Sequence, residues 1–228
     1  KNGSGVEAGR LGVWSGSPPA EISKVQNSGL KRFMDLAITI PVVIFGSPLL
    51  ILIYALLKIF DPGPALFTLL RVGKDGKTFT VYKFRTMRVD AQQRLDQMLA
   101  SDPAAAAEWA EFQKLKRDPR VTLLGRILRK SSLDELPQLL NIVRGEMSVI
   151  GPRPVTSAEV HRYGIDYPYY VAVRPGVLGL WQVSGRNRLT YPQRIALDVK
   201  YLRTWSIWAD LVILLRAIPL VLFGRGAY

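Results

Sequence analysis

The sequence predicts a mixed α/β protein, mostly helical and attached to a membrane. Three observations carry this. An apolar run without a single charge extends from Leu36 to Leu57. Two β-rich stretches, "ALFTLLRV" and "TFTVYKFRTM", flank the turn "GKDGK". Apolar residues at helical spacing dominate much of the rest, ending in "YPQRIALDVKYLRTWSIWADLVILLRAIPLVLF".

Composition narrows the chemistry. The 228 residues suit one ordinary domain with attachments. Lys and Arg total 31 against 18 acids, a net charge of +13. That balance implies an anionic partner: nucleic acid, acidic lipid headgroups or a phosphorylated substrate. There is no Cys, which excludes disulfides, thiol catalysis and Cys-based zinc sites. His161 is the only imidazole, so a His-rich metal site is not expected. Carboxylates, Lys, Arg, Tyr and Ser remain as catalytic vocabulary. The chain starts on Lys1, not Met, and is expected to be a fragment or a processed product.

Taken in order, residues 1–28 hold many Gly, Ser and Pro and no apolar periodicity, and read as a flexible tail. No secretory leader is expected there. Residues 29–60 form the apolar segment. Its length matches the roughly 20 residues that cross a bilayer core. Pro41 and Pro48 interrupt it, however, and Pro48 removes a donor and clashes with the carbonyl one turn back. Ser47 can offer its hydroxyl to a carbonyl so freed. Bases flank both ends, so charge asymmetry does not vote for crossing. A kinked spanning helix and a helix that turns back both stay open on these grounds.

Residues 61–228 read as one further unit. "DPGP" is a turn, followed by the hairpin. Residues 90–118 are helical in pattern, divided at "SDP", where Asp102-Pro103 suits a helix start. "PGVLGLWQVSGR" reads as loop and short strand. From about Tyr191 to Phe223 an amphipathic helix is expected, with Trp205, Trp208, Lys200, Arg203 and Arg216 near its apolar face. It fits a membrane interface or the core equally well.

The densest signal is "RILRKSSLDELPQLLNIVRGEMSVIGPRP". A Pro is tolerated only in the first turn of a helix, so Pro137 puts Asp134 and Glu135 in that turn, with Ser131 or Ser132 as cap. Exposed N–H groups there would keep Asp134 ionised and favour a phosphate alongside. Arg126, Arg129, Lys130 and Arg153 add positive charge. An ionised carboxylate beside an anion site is arranged for attack on phosphorus. An acid pair that merely decorates a helix start is the plain alternative.

The set "YKFRTM", "DPRVTLLGRILRKSSLDELPQLLNIVRGEMSVIGPRP" and "RPGVLGLWQVSGR", in this order behind a basic-flanked apolar segment, closely resembles the bacterial sugar transferases. These are monotopic polyprenyl-phosphate phosphoglycosyl transferases that initiate exopolysaccharide and O-antigen synthesis. The resemblance covers about residues 29–226. The N-terminal transmembrane bundle of the large members is not in this sequence.

The resemblance implies a fold and an activity. The apolar segment is expected to be a re-entrant membrane helix-break-helix, turned at Ser47-Pro48, beside a small cytosolic catalytic domain with a β-hairpin and interfacial amphipathic helices. The expected reaction moves sugar-1-phosphate from a UDP-sugar to undecaprenyl phosphate and releases UMP, with Mg²⁺ required. Asp134 maps to the nucleophile that forms a covalent phosphosugar intermediate, and Glu135 to its partner acid. Both map to metal handling. Arg129 maps to a phosphate contact, Lys83, Arg85 and Arg153 to a basic lining, and Arg186 to a further contact. The implied location is the cytoplasmic face of the bacterial inner membrane, where anionic lipids attract the basic surface. The sugar is left open, and a homo-oligomer is compatible with the sequence.

Many members carry a Gln close before the hairpin Arg, where this chain reads Leu69-Leu70-Arg71. A role for such a Gln is not carried over. His161 is not needed by a carboxylate nucleophile, and Trp181 reads first as packing, then as a base-stacking platform. A membrane-anchored basic binding or scaffold protein of a polysaccharide export complex is the alternative function. No helix-turn-helix or RNA-binding signature occurs, so nucleic acid is not an expected partner.

Overall fold

The computed structural model of the chain describes residues 16, 18–26, 28–112, 115 and 118–222. Most of the tail expected over 1–28 lies outside these residues. Within it, Ala20–Ile22 forms a 3-10 turn and α1 (Ser23–Gln26) follows. Ile22 and Val25 are buried in the main core. The tail reading therefore fails for this stretch: two apolar anchors three residues apart tie it down, inside a Gly- and Pro-rich composition that hid them.

The apolar segment is α2 (Gly29–Phe60), capped by Ser28, whose hydroxyl oxygen accepts from the Lys31 N–H at 3.0 Å. The expected break at Ser47-Pro48 is not an interruption, because α2 stays helical throughout. The disturbance is repaired locally. Pro48 has no N–H for the Ile44 carbonyl, and the Ser47 hydroxyl donates to that oxygen at 2.8 Å instead.

Both flanks of α2 pack on the same body. Near its start, Arg32 donates to the Ile142 and Val143 carbonyls at 2.7 and 3.0 Å. Near its end, Ile53 and Leu57 are buried with Ala65, Phe84 and Leu128. Between the flanks, residues 40–52 are mostly exposed and apolar, with Phe45 at 83%. Pro41 and Pro48 both lie on the exposed face. A proline ring opens the helix on its own side, so a bend at either directs the flanks toward the body. By length and composition α2 is the one described helix able to cross a membrane, and only 11% of its apolar window is buried, too little for a core helix.

The hairpin is as expected. Strand β1 (Leu66–Val72) pairs antiparallel with β2 (Thr78–Phe84), from Val72 opposite Thr78 to Leu66 opposite Phe84. Asp75 and Gly76 in its turn take φ of 59° and 73°. Helices α3 (Ala91–Ser101) and α4 (Pro103–Phe112) meet at Asp102, whose carboxylate accepts from the Ala104 and Ala105 N–H groups. Next come α5 (Leu123–Ser131), a 3-10 helix over Leu133–Gln138, and α6 (Leu139–Arg144). A second sheet goes beyond the sequence reading: β3 (Ser148–Ile150) runs parallel to β4 (Gly176–Leu178). A 3-10 helix over Ser157–Asp166 and α7 (Tyr167–Val171) lie between these strands, and α8 (Leu180–Ser184) follows them.

The expected C-terminal helix is two helices, α9 (Tyr191–Arg203) and α10 (Ile207–Leu222). Helix α9 takes the core reading and α10 shows both, with Ile213 and Ala217 buried. Ile195, Val199 and Leu202 of α9 are core, whereas Trp208 and Leu215 of α10 are exposed. A buried ionic joint ties α10 to α2 and β3. Lys31 Nζ lies 3.2 Å from Asp35 Oδ1 and 2.9 Å from Asp210 Oδ2. Asp35 also accepts from the Ser148 hydroxyl and the Val149 N–H, and Asp210 from the Tyr201 hydroxyl and Trp205 Nε1. One cation and two carboxylates leave water together, and these four donors offset that cost.

Candidate active site

Four elements place the acid pair. Helix α5 approaches the Thr86 backbone at Gly125, where an added Cβ would collide with the Thr86 carbonyl. That close approach lets Arg129 Nε donate to Thr86 Oγ1 at 2.8 Å. Ser132 then turns the chain with φ of 56°, an uncommon conformation for a residue with a side chain. The 3-10 helix that follows carries Asp134 and Glu135 against β2. Asn141 locks this arrangement: its side-chain amide donates to the Thr80 carbonyl and to Glu146, and its Oδ1 accepts from the Tyr82 N–H. A polar residue inside the apolar run "LLNIV" was the signal that could have found it.

The acids sit in a 3-10 turn, not in the first turn of a long α-helix, and no Ser side chain caps it. Ser131 instead donates back to Ile127 and Leu128 within α5. The expectation that a helix N-terminus keeps Asp134 fully ionised is corrected accordingly. Burial, then the neighbouring Glu135 carboxylate, push Asp134 up to about 6, against the pull of Lys83 and Arg129.

Lys83 shares a strand face with Phe79 and Val81 and reaches Glu135, with Nζ 2.6 Å from Oε1. Arg186 also feels the Glu135 charge and, like Ser132, has a positive φ, here 52°. Asp134, Glu135, Lys83, Arg129 and Arg186 thus form one electrostatic group. Two residues from the same sequence set fall elsewhere. Arg85 turns to the foot of α2, where its NH2 lies 3.3 Å from Asp61 Oδ2. Arg153 belongs to a neighbouring basic cluster with Arg71 and Arg194 around Trp181. Its charge acts on the buried Asp198 carboxylate, which accepts from the Tyr163 hydroxyl at 3.1 Å.

Trp181 is 5% exposed and faces Arg194 at 4.8 Å, so it is packing, not a free platform for a base. His161 is exposed and absent from the charges acting on Asp134. Arg71 pairs with Glu159 at 3.1 Å. Among the described residues no group of three or more acids and imidazoles stands together as a metal cage. The acid pair alone offers two adjacent carboxylates, the donor set of a hard cation that keeps waters and substrate phosphates as its other ligands.

The fold thus joins an exposed apolar helix, docked at both flanks, to an acid pair beside Lys83, Arg129 and Arg186 and a short parallel sheet. The chain belongs to the bacterial sugar transferase family, which it matches over residues 26–224. It is 47% identical over 208 residues to the undecaprenyl-phosphate galactose phosphotransferase of Salmonella typhimurium, covering 91% of this chain and 43% of that protein. It is 46% identical over 213 residues to the exopolysaccharide production protein ExoY of Rhizobium meliloti, covering 92% and 94% of the two chains. Its identity to the UDP-glucose:undecaprenyl-phosphate glucose-1-phosphate transferase of Caulobacter vibrioides is 40% over 219 residues, covering 92% and 76%. The chain thus spans less than half of some relatives and nearly all of others.

Proposed function

We propose that this chain transfers sugar-1-phosphate from a UDP-sugar to undecaprenyl phosphate, the first membrane step of exopolysaccharide or O-antigen synthesis. The observation that carries the reading is the burial of Asp134 beside Glu135 within a ring of Lys83, Arg129 and Arg186. The names of the relatives point to the same acceptor and to hexose donors.

In the proposed first step an Asp134 oxygen attacks the β-phosphorus of the donor. The bond from that phosphorus to the bridging oxygen breaks, and its electron pair leaves on UMP. In the second step a phosphate oxygen of the lipid attacks the phosphosugar on Asp134. The Asp134–phosphorus bond breaks, the carboxylate is restored and the lipid diphosphosugar departs. Arg129, fixed by Thr86, and Arg186 would neutralise charge on the transferring phosphoryl group. Lys83 pairs with Glu135 next to the nucleophile. Glu135 and an oxygen of Asp134 would hold Mg²⁺, which when bound supplies positive charge to the donor diphosphate.

We read α2 as re-entrant, with the domain on the cytoplasmic face of the inner membrane. Support comes from both flanks packing on one body and from the exposed apolar residues between them. A spanning helix would carry one flank away from that body. This geometry keeps the acid pair at headgroup depth, where a water-borne donor and a lipid acceptor meet.

The deciding experiment measures UMP release over a panel of UDP-sugars with undecaprenyl phosphate in nanodiscs. The wild type should release UMP with at least one sugar, and Asp134→Asn should not. Equal turnover in both would overturn the nucleophile assignment.

A further inference from the structure

Arg85 points away from the acid pair, yet its chain neighbour Thr86 holds a member of the group around it. The Arg85 guanidinium is buried at the end of α2, where NH2 donates to the Asp61 carbonyl and lies 3.3 Å from the Asp61 carboxylate. The Arg85 N–H donates to the Ala65 carbonyl at 2.9 Å. The turn between these two acceptors is shaped around the side chain: Gly63 has φ of 136°, and an added Cβ would collide with Arg85 NH1. Side chain and backbone both fasten Arg85 to the exit of α2.

Thr86 is fastened to α5 in three places. Its carbonyl accepts from the Thr122 N–H at 3.1 Å, and Thr122 caps α5. Gly125, one turn on, packs on the Thr86 backbone with no room for a side chain. The Thr86 hydroxyl accepts from Arg129 Nε at 2.8 Å. Residues 122, 125 and 129 share one face of α5, so the helix takes its register from this one residue. The seam continues where the Arg88 N–H donates to the Arg120 carbonyl at 2.8 Å. Leu128, beside Arg129, clusters with Ile53 and Leu57 of α2. Two adjacent residues thus join the end of α2 to Arg129, whose charge acts on Asp134.

We propose that Arg85 and Thr86 are positioning residues that set Arg129 against the transferring phosphoryl group from the end of α2. Arg85 then acts through Thr86, and Thr86 through Arg129, in place of the phosphate lining that the motif implied for Arg85. The role rests on the transferase reading for what Arg129 touches, whereas the link is geometric. A guanidinium aimed in advance needs no reorganisation in the transition state. One freed to swing still attracts substrate but stabilises the transition state less, so the loss falls on kcat more than on KM.

The test uses the full chain in nanodiscs. Thr86→Val removes the hydroxyl at nearly constant shape and should lower kcat about tenfold, the loss of one charge-assisted hydrogen bond. KM for the UDP-sugar and for undecaprenyl phosphate should stay within about twofold. Thr86→Ser keeps the hydroxyl and should restore kcat. Arg85→Lys should also lower kcat, and adding it to Thr86→Val should cost little more, because both act on one contact. A second readout needs no turnover. In protein isotope-labelled at arginine, the Arg129 Nε–H resonance, assigned by its loss in Arg129→Lys, should exchange with water about tenfold faster in Thr86→Val and Arg85→Lys. In Thr86→Ser it should stay protected. If Arg85→Lys does not fold, Asp61→Asn, which weakens the same tie, takes its place in each measurement. Wild-type exchange in Arg85→Lys would overturn the link, and so would kcat losses that multiply in the double variant. A lower Tm with unchanged kcat and exchange would make both residues mere structural support and overturn the assignment. If the wild type releases no UMP with any sugar, the function reading fails and the exchange measurement still decides the link.

Discussion

Lys83 Nζ lies 2.6 Å from Glu135 Oε1, while the adjacent Asp134 makes no ion pair of its own among those described. The two neighbouring acids are thereby made unlike. Glu135 has a cation in direct contact. Asp134 is buried next to that carboxylate and binds its proton more tightly than an ordinary Asp.

Asp134→Asn is expected to abolish turnover and to stabilise the fold. The folded pKa, about 6, lies above the ordinary 3.8. The folded state therefore holds the proton better, and stability is lost as pH rises from about 4 through 6. Asn removes that cost, worth on the order of 2 kcal/mol. Thermal unfolding at pH 7.5 should show a higher Tm for the variant. A lower Tm would show that the carboxylate is better compensated than its burial implies.

The same shift sets a pH profile. Attack needs ionised Asp134, so kcat/KM for the donor should rise with pH and reach half its plateau near pH 6. Lys83→Met removes a cation that favours the Asp134 anion and should move this limb to higher pH. Measured at pH 6, the variant should lose proportionally more activity than at pH 8. An equal loss at both would assign Lys83 to binding alone.

The topology of α2 can be read without background labelling, because the chain has no Cys. Leu30→Cys and Ile59→Cys, at exposed positions on either flank, should react with an impermeant maleimide from the same side of sealed vesicles. Ser47→Ala should lower stability by about 1 kcal/mol, since the Ile44 carbonyl would face an apolar medium unpaired. Labelling from opposite sides would make α2 a spanning helix.

Lys31→Met should be among the most destabilising single changes. It leaves Asp35 and Asp210 buried without their shared cation, a cost of about 3–5 kcal/mol. Adding Asp210→Asn should restore part of the loss in thermal unfolding. Additive effects of the two changes would deny the coupling.

Local patterns were legible where one element carries its own signal. The uncharged run to Leu57 gave α2, and alternating β-formers around "GKDGK" gave the hairpin. Asp102-Pro103 gave the start of α4, and the motif set gave the family. Less was legible where a residue's meaning lies in a distant partner. Nothing near Arg85 says that it turns to Asp61 while Lys83, two residues earlier, turns to Glu135. Nothing in "AEISKVQ" announces that Ile22 and Val25 reach the core, and nothing around Trp205 shows that one amphipathic run divides into a core helix and a second with one buried and one exposed face.

By itself the sequence determined the kind of elements and the inventory of charges, because periodicity, proline and composition act over a few neighbours. Tertiary structure alone decided which cations surround Asp134, how far its proton affinity rises, and that both flanks of α2 rest on one body. Those outcomes depend on burial and on charges brought together from residues 83, 129, 134 and 186. Distance in space, which the order of residues does not encode, sets the strength of each.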